Sequence, residues 1–297
     1  MNSSLPRAFG AAAGRARIRL SPADFRVDED LGFEPSGEGE HAFLLIEKTG
    51  CNTLDVQRML AQLAGVPRRD VGFSGLKDRN AVTGQWFSVG LAGKGEPDWQ
   101  QLSAEQPVRI VRATRHQRKL RRGVHRGNGF ELVLRELHAD PDELESRLQL
   151  LGQRGVPNYF GEQRFGRNGS TLEQALAWSQ AGGRRKREQR SLMLSALRAH
   201  LFNRLLASRV SAQTWDKVLA GDHCLLRGTR SFFTCEVLDA DIAQRVASGV
   251  IHPGLPRWGR SQEAYVGPAL PGELSGPGDF LESQGLDLGW RATRVIP

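Results

Sequence analysis

The stretch VGFSGLKDRNAVTGQWFSV, Val71 to Val89, decides how the chain is read. Two apolar runs bracket a glycine-containing turn, and Lys77, Asp78 and Arg79 stand side by side within it. Val71–Phe73 and Gln85–Val89 read as strands, so the turn is mounted on strand ends, a firmer support for a side chain than a linker. Trp86 and Phe87 fall on opposite faces of a regular strand, one of them packing inward beneath the loop. Neighbouring positive charge favours the carboxylate form, so an Asp set between two cations suits a nucleophile, a general base or an anchor for a polar ligand. A solvated turn with a local salt bridge would use the same three residues.

Outward from this turn, Ile18 to Glu29 reads as a strand, a turn at Pro22 and a second strand through Phe25 and Val27, an ordinary hairpin. Ala42 to Glu47 reads as a strand. Asn52 or Thr53 caps a helix whose Val56, Met59, Leu60 and Leu63 lie on one face, and Pro67 closes it. After a short strand at Val108 to Val111, the stretch Arg112 to Arg126 carries seven Lys or Arg and no acid, with His116 and His125 among them. Guanidinium groups without neutralising carboxylates make this a phosphate-binding stretch, against the plainer reading of a solvated basic loop. The strand FELVL follows from Phe130 to Leu134, and Asp140 and Pro141 open a helix with Leu144, Leu148 and Leu151 on its buried side. A domain junction falls at residues 152 to 155.

Beyond the junction, GVPNYFGEQRFG (155–166) is an ordered loop, Leu172 to Ala181 a short helix, and RRKREQR (184–190) leads into a long helix with Leu194, Leu197, Leu201 and Leu205 on its core face. From Ile251 to Gly278, Pro and Gly are dense and periodicity fades. The 297-residue chain of 32.8 kDa is long enough for two cores, and its 34 glycines imply long loops. A formal charge of +8 and a pI near 10.0 favour a polyanionic partner. Cys51, Cys224 and Cys235 are odd in number and lack metal-ligand spacing, and no apolar run is long enough to cross a bilayer or to serve as a signal peptide. A soluble cytoplasmic protein without a structural metal is expected.

Gly75, Lys77, Asp78, Ala81, Val82, Thr83, Gln85 and Trp86 resemble the nucleophile motif of the TruD family of tRNA pseudouridine synthases. HQRKLRRGVHRGNGF (116–130) resembles that family's basic loop and active-site segment, and residues 155–166 its second diagnostic motif. SALRAHLFN (195–203) and GDHCLLRG (221–228) resemble landmarks of its inserted domain. The opening segment departs from the pattern, with Arg19 and Ala23 where the family has Lys and Glu. The resemblance implies an α+β protein: a pseudouridine-synthase catalytic fold with a largely antiparallel sheet over 1–152, an inserted domain over 153–290, and a return to the catalytic domain from 291 to 297. Family chains continue through a last strand region, an aromatic segment and a Gly-x-x-Ala-Thr motif, so the resemblance stops before the end of the catalytic domain and weakened turnover is expected.

By the same resemblance the chain isomerises a uridine of tRNA, position 13 near the D arm, with no metal or organic cofactor and as a monomer. Asp78 is then the catalytic carboxylate and Lys77 its charged neighbour. Asn128 organises the Asp78 region by hydrogen bonds, and Phe130 walls the flipped uracil. Arg115, His116, Arg118, Lys119, Arg121, Arg122 and Arg126 grip phosphates, Arg19 touches one, and Asn158 and Arg164 order the cleft or meet RNA. Attack at C1′, addition at C6 and a glycal-like intermediate all remain open to such a carboxylate. Two other readings use the same residues: a silent tRNA-binding or tRNA-folding protein, and an interaction protein in which Lys77 and Asp78 merely pair while the basic loop meets an acidic partner.

Overall fold

The computed structural model describes residues 5–103, 107–229, 231–260 and 272–296. The chain forms two compact units, one of Gly14–Ala139 and one comprising the chain before Gly14 and from Asp140 onward. Both are mixed α and β, with mainly antiparallel pairing. The junction read at residues 152 to 155 lies a short way beyond the division at Ala139.

In the first unit the strands are β1 (Gly14–Arg17), β2 (Phe25–Asp30), β3 (His41–Thr49), β4 (Val71–Phe73), β5 (Val82–Gly90), β6 (Val108–His116), β7 (Gly127–Leu132) and β8 (Arg135–Ala139). Helix α1 (Thr53–Leu63) follows β3. The main sheet runs β6-β3-β5-β2-β7, and β4 pairs with β5 as well. Strand β3 shows why the sheet is buried on both sides. Ala42, Leu44 and Ile46 face α1 with Val56 and Leu60, while Phe43 faces Leu31, Trp86 and Leu120. The two-residue period thus feeds two cores. Trp86 and Phe87 part to opposite faces in the same way, and both are buried.

One edge of β5 is shared by two strands. Val82–Gly84 pair in parallel with Arg26–Asp28 of β2, and Phe87–Val89 pair antiparallel with Val71–Phe73 of β4. Between these ladders the sheet opens, and the loop from Ser74 to Ala81 rises there. Gly72 in β4 lies against the basic stretch: a Cβ on it would overlap the carbonyl oxygen of Leu120, whose N–H donates to Ser88 Oγ at 2.9 Å. The expected result of Gly72→Ala is a loss of about 1–3 kcal/mol from overpacking. Urea unfolding measures it, and an unchanged midpoint would contradict the close approach.

Several sequence expectations are corrected. Ile18 to Glu29 is no hairpin: β1 precedes it and pairs with β8, and a 3-10 turn at Pro22–Asp24 leads into β2. Strand β6 continues through His116, because pairing with β3 along its whole length satisfies the backbone whatever the side chains carry. Strand β7 begins at Gly127 and stops at Leu132, short of Leu134. Thr53 lies inside α1, where its hydroxyl serves tertiary partners, and Asn52 is the N-cap position without a side-chain cap bond.

The second unit contains α2 (Pro141–Arg154), β9 (Val156–Pro157), α3 (Ser170–Ala181), α4 (Arg187–Ser211), β10 (His223–Leu226), β11 (Phe232–Thr234), α5 (Ala240–Ala247), β12 (Ile251–Arg257), α6 (Ser275–Ser283), β13 (Gly289–Ala292) and β14 (Arg294–Val295). Asp140 caps α2 as expected, its carboxylate accepting Glu143 N–H at 2.9 Å. The leucine side of α2 is not buried, however: Leu148 is 53% exposed, so helical spacing there does not mark a core. A sheet ordered β11-β10-β12-β13 packs on α4. Strand β12 overturns the irregular reading of its region. Its Pro253 and Pro256 are tolerated because their carbonyls remain acceptors, and Thr293 N–H and Oγ1 both donate to Pro253 O. Gly272–Leu274 and the start of α6 overturn it at its far end as well, while residues 261–271 lie outside the described residues.

Candidate active site

The loop carrying Asp78 is held from below by buried polar groups. Lys48 continues the inward parity of Ala42, Leu44 and Ile46 on β3, and its side chain is buried with them. Its ammonium donates to the carbonyls of Cys51 at 2.8 Å and Asp78 at 3.0 Å, fixing the Asp78 backbone. Burial pushes the Lys48 ammonium below its usual range, countered in part by Cys51 and the Asp78 carboxylate. Thr53 Oγ1 accepts Lys77 N–H at 3.0 Å and donates to Gln85 Oε1, also at 3.0 Å. Gln85 Nε2 closes the ring by donating to Gly75 O at 2.5 Å.

Glu29 fills the opening between the β2 and β4 ladders. Its Oε1 accepts Trp86 N–H at 3.3 Å, a strand donor that neither neighbour reaches, and its Oε2 meets Lys77 Nζ at 2.5 Å. Both side chains are almost fully buried, at 0% and 5% exposure. Lys77 therefore does not neutralise Asp78. Arg79 does not either, because it donates to Gly50 O at 3.0 Å. The expectation of an Asp between two adjacent cations is corrected: successive residues on this loop point to different surroundings. Lys77 is locked in this ion pair beneath the loop.

Among the described residues, the cation in ion-pair range of the Asp78 carboxylate is Arg19, 3.8 Å from Oδ2, with the carboxylate side chain 51% exposed. Arg19 has φ +57°, a left-handed conformation costing roughly 1–2 kcal/mol for a side chain of this kind. Its guanidinium lies 3.9 Å over the Phe25 ring, an offsetting contact. Phe25 in turn stacks on Phe130 at 6.2 Å and 8°. Phe130 is 69% exposed, so its outer face is open to a planar ligand. Asn128 sits opposite Glu29 in the β2–β7 register. One corner of the first unit thus gathers Asp78, Arg19, Lys77, Asn128 and Phe130.

Asn128 is tied to the loop through His125. Ser74 Oγ accepts His125 N–H at 2.9 Å and stands 2.6 Å from Nδ1, while Asn128 Nδ2 lies 3.4 Å from Nε2. With the Ser74 hydroxyl hydrogen directed at Nδ1, Nε2 carries the ring proton. Turning the amide so that Oδ1 meets this proton also satisfies that oxygen, which is buried and otherwise partnerless.

The basic stretch is less uniformly cationic in space than in sequence. Arg112 pairs with Glu34, Arg115 with Glu96 at 2.8 Å, and Arg126 with Asp30 at 2.5 Å. These carboxylates come from distant segments, so the inference of missing neutralisation is corrected for Arg112, Arg115 and Arg126. His116 packs edge-on to Phe43 and accepts Ser36 N–H, and Lys119 donates to Arg69 O. Arg118 and Arg121 are exposed, and Arg122 lies 3.9 Å over Phe73 at the root of the Asp78 loop. In the second unit, Asn158 is taken up internally, donating to Ala292 O and accepting from Arg291. Arg164 donates to Ser195 Oγ at 3.1 Å.

Sequence reasoning missed Glu29, Lys48 and the pivotal use of Thr53. The available signal was parity: Glu29 and Lys48 each occupy an inward strand position where an apolar residue is the default. Among the described residues, no helix is long and apolar enough to cross a membrane, and no group of three His, Cys, Asp or Glu side chains could hold a metal ion.

Residues 10–175 match the family model described as tRNA pseudouridine synthase D. A protein of that name from Methylococcus capsulatus is 50% identical over 298 residues, covering 98% of this chain and 84% of the relative. One from Aeromonas hydrophila is 44% identical over 303 residues, covering 100% and 86%. A solved structure from Methanosarcina mazei, described as a candidate tRNA pseudouridine synthase D, superposes with a TM-score of 0.71 at 17% identity, covering 98% of this chain and 86% of that one. At that identity the superposition establishes the fold.

Proposed function

The chain belongs to the tRNA pseudouridine synthase D family, and from that premise we propose that it isomerises uridine 13 of tRNA with Asp78 as the catalytic carboxylate. The family membership makes it an enzyme, an isomerase of uridine in tRNA. The observation that carries the finer reading is the half-exposed Asp78 carboxylate on a backbone pinned by Lys48, beside Arg19 and the Phe25–Phe130 stack. The unit Gly14–Ala139 supplies the chemistry, residues 153–290 form the inserted domain, and the enzyme acts in the cytoplasm.

The target uridine leaves its stack, at a general cost of a few kcal/mol, and its uracil lies on the open face of Phe130. Asp78 then promotes cleavage of the N1–C1′ bond by attack at C1′, by addition at C6 or through a glycal-like intermediate. The uracil turns without leaving, C5 bonds to C1′, C5 gives up its proton, and N1 gains one. Substrate and product have the same atoms. Arg19 balances the carboxylate and faces the neighbouring phosphate, while Arg118, Arg121 and Arg122 hold the backbone.

Incubation with an unmodified tRNA transcript, followed by mass-spectrometric mapping, tests the position. Pseudouridine is expected at position 13 alone and absent when that uridine is replaced by cytidine. Modification at another uridine with position 13 untouched would overturn the assignment.

A further inference from the structure

Four arginines from four elements of the second unit converge without a carboxylate partner among the described residues. Arg291 of β13 lies opposite Leu255 of β12, and Arg257 is two residues further along β12 on the same sheet face. The Arg291 guanidinium sits 4.0 Å over the Phe160 ring, and that of Arg164 lies 5.4 Å from the same ring. Arg198 of α4 donates to the carbonyl of Arg257 at 2.7 Å and to that of Asp287 at 2.8 Å. Its Nε is buried and has no hydrogen-bond partner among the described residues.

The electrostatics of the cluster are unresolved within the protein. Burial, then the like charges of Arg257 and Arg164, push the Arg291 guanidinium down to about 10. Burial and Arg257 lower Arg198 as well, opposed in part by the Asp287 carboxylate. Arg291 is fixed by neutral groups alone, donating to Asn158 O and Oδ1. Arg257 is exposed, and Arg164 is exposed, with a serine hydroxyl as its hydrogen-bond acceptor. Crowding four arginines together, two of them against the Phe160 ring, with no carboxylate salt bridge among the described residues disfavours the free protein; an anion with several oxygens would relieve it.

We propose that Arg164, Arg198, Arg257 and Arg291 form a phosphate-binding site that takes a phosphodiester of the tRNA backbone. The inference rests on the tRNA reading above but concerns a site separate from the Asp78 corner. Arg164 and Arg257 make the outer contacts. Arg291 and Arg198 supply the held charge behind them.

The test uses the full chain and unmodified tRNA transcript, comparing wild type with Arg257→Gln and Arg164→Gln/Arg257→Gln. Binding is measured over a salt series and turnover over a tRNA series. Each glutamine is expected to reduce the slope of log K against log salt by about 0.7–0.9 and to raise KM severalfold with kcat unchanged. Arg257→Lys should recover the slope. Lys217→Gln, an exposed cation outside the cluster, is the charge control. An unchanged slope in the folded double variant, or an equal loss from Lys217→Gln, would overturn the site. Pseudouridine formation by wild type together with an unchanged variant slope defeats this inference alone. Lost slope in the variant, with no pseudouridine from wild type, defeats the isomerase reading while sustaining the site.

Discussion

Asp78→Asn is expected to abolish pseudouridine formation, by at least about 10³-fold, while leaving the fold and tRNA affinity nearly unchanged. The amide has the shape of the carboxylate but neither its charge nor its nucleophilicity. The folded state loses little, because the Asp78 side chain is half exposed and its ion pair with Arg19 is 3.8 Å long. Exposed pairs of this kind contribute about 0–1 kcal/mol. The backbone carbonyl that Lys48 holds is retained in the variant. Loss of the C5 proton from tRNA labelled there with tritium reads turnover directly. Near-normal release would reject the role given to Asp78.

The largest loss of stability is expected from Lys77→Met, about 3–5 kcal/mol, because it leaves the Glu29 carboxylate buried with only the Trp86 N–H for a partner. Lys77→Met combined with Glu29→Gln should recover much of that loss, since a neutral, well-packed pair avoids the uncompensated charge. Turnover should stay about 10–100-fold low in both variants, because small displacements of a reacting group are costly. Urea unfolding of the two single variants and the double variant gives the coupling. A loss below about 1 kcal/mol in Lys77→Met would show that the ion pair does not hold the loop.

The sequence made the Asp78 turn and its flanking strands legible, since Val71–Phe73 and Gln85–Val89 carry local strand signals, although the second strand already begins at Val82, where pairing with β2 extends it. It also drew attention to Arg19, Asn128 and Phe130. What it concealed was set by contacts between distant segments. Glu29 reaches Lys77 across 48 positions, and Glu96 and Asp30 neutralise arginines in a stretch that contains no acid of its own. Adjacent charges in a turn misled for a physical reason: a loop directs successive side chains to different sides, so proximity in sequence does not fix electrostatic partners. Strand β12 was hidden because proline signals an interruption, whereas two of its residues need only their carbonyls to join the sheet.

The arginine cluster was equally unreadable in advance. Arg164 and Arg198 fall in separate quoted motifs and Arg257 and Arg291 in neither, and one by one all four look like ordinary surface cations. Their shared environment arises only when β12 and β13 pair and α4 packs across them.

A structure of the chain bound to tRNA, with turnover blocked by Asp78→Asn, tests the central claim most directly. The account predicts uridine 13 out of its stack, its uracil against Phe130, and the residue 78 side chain within about 3.5 Å of C1′ or C6. An extruded uridine seated elsewhere, with residue 78 beyond reach of both the sugar and the ring, would contradict it.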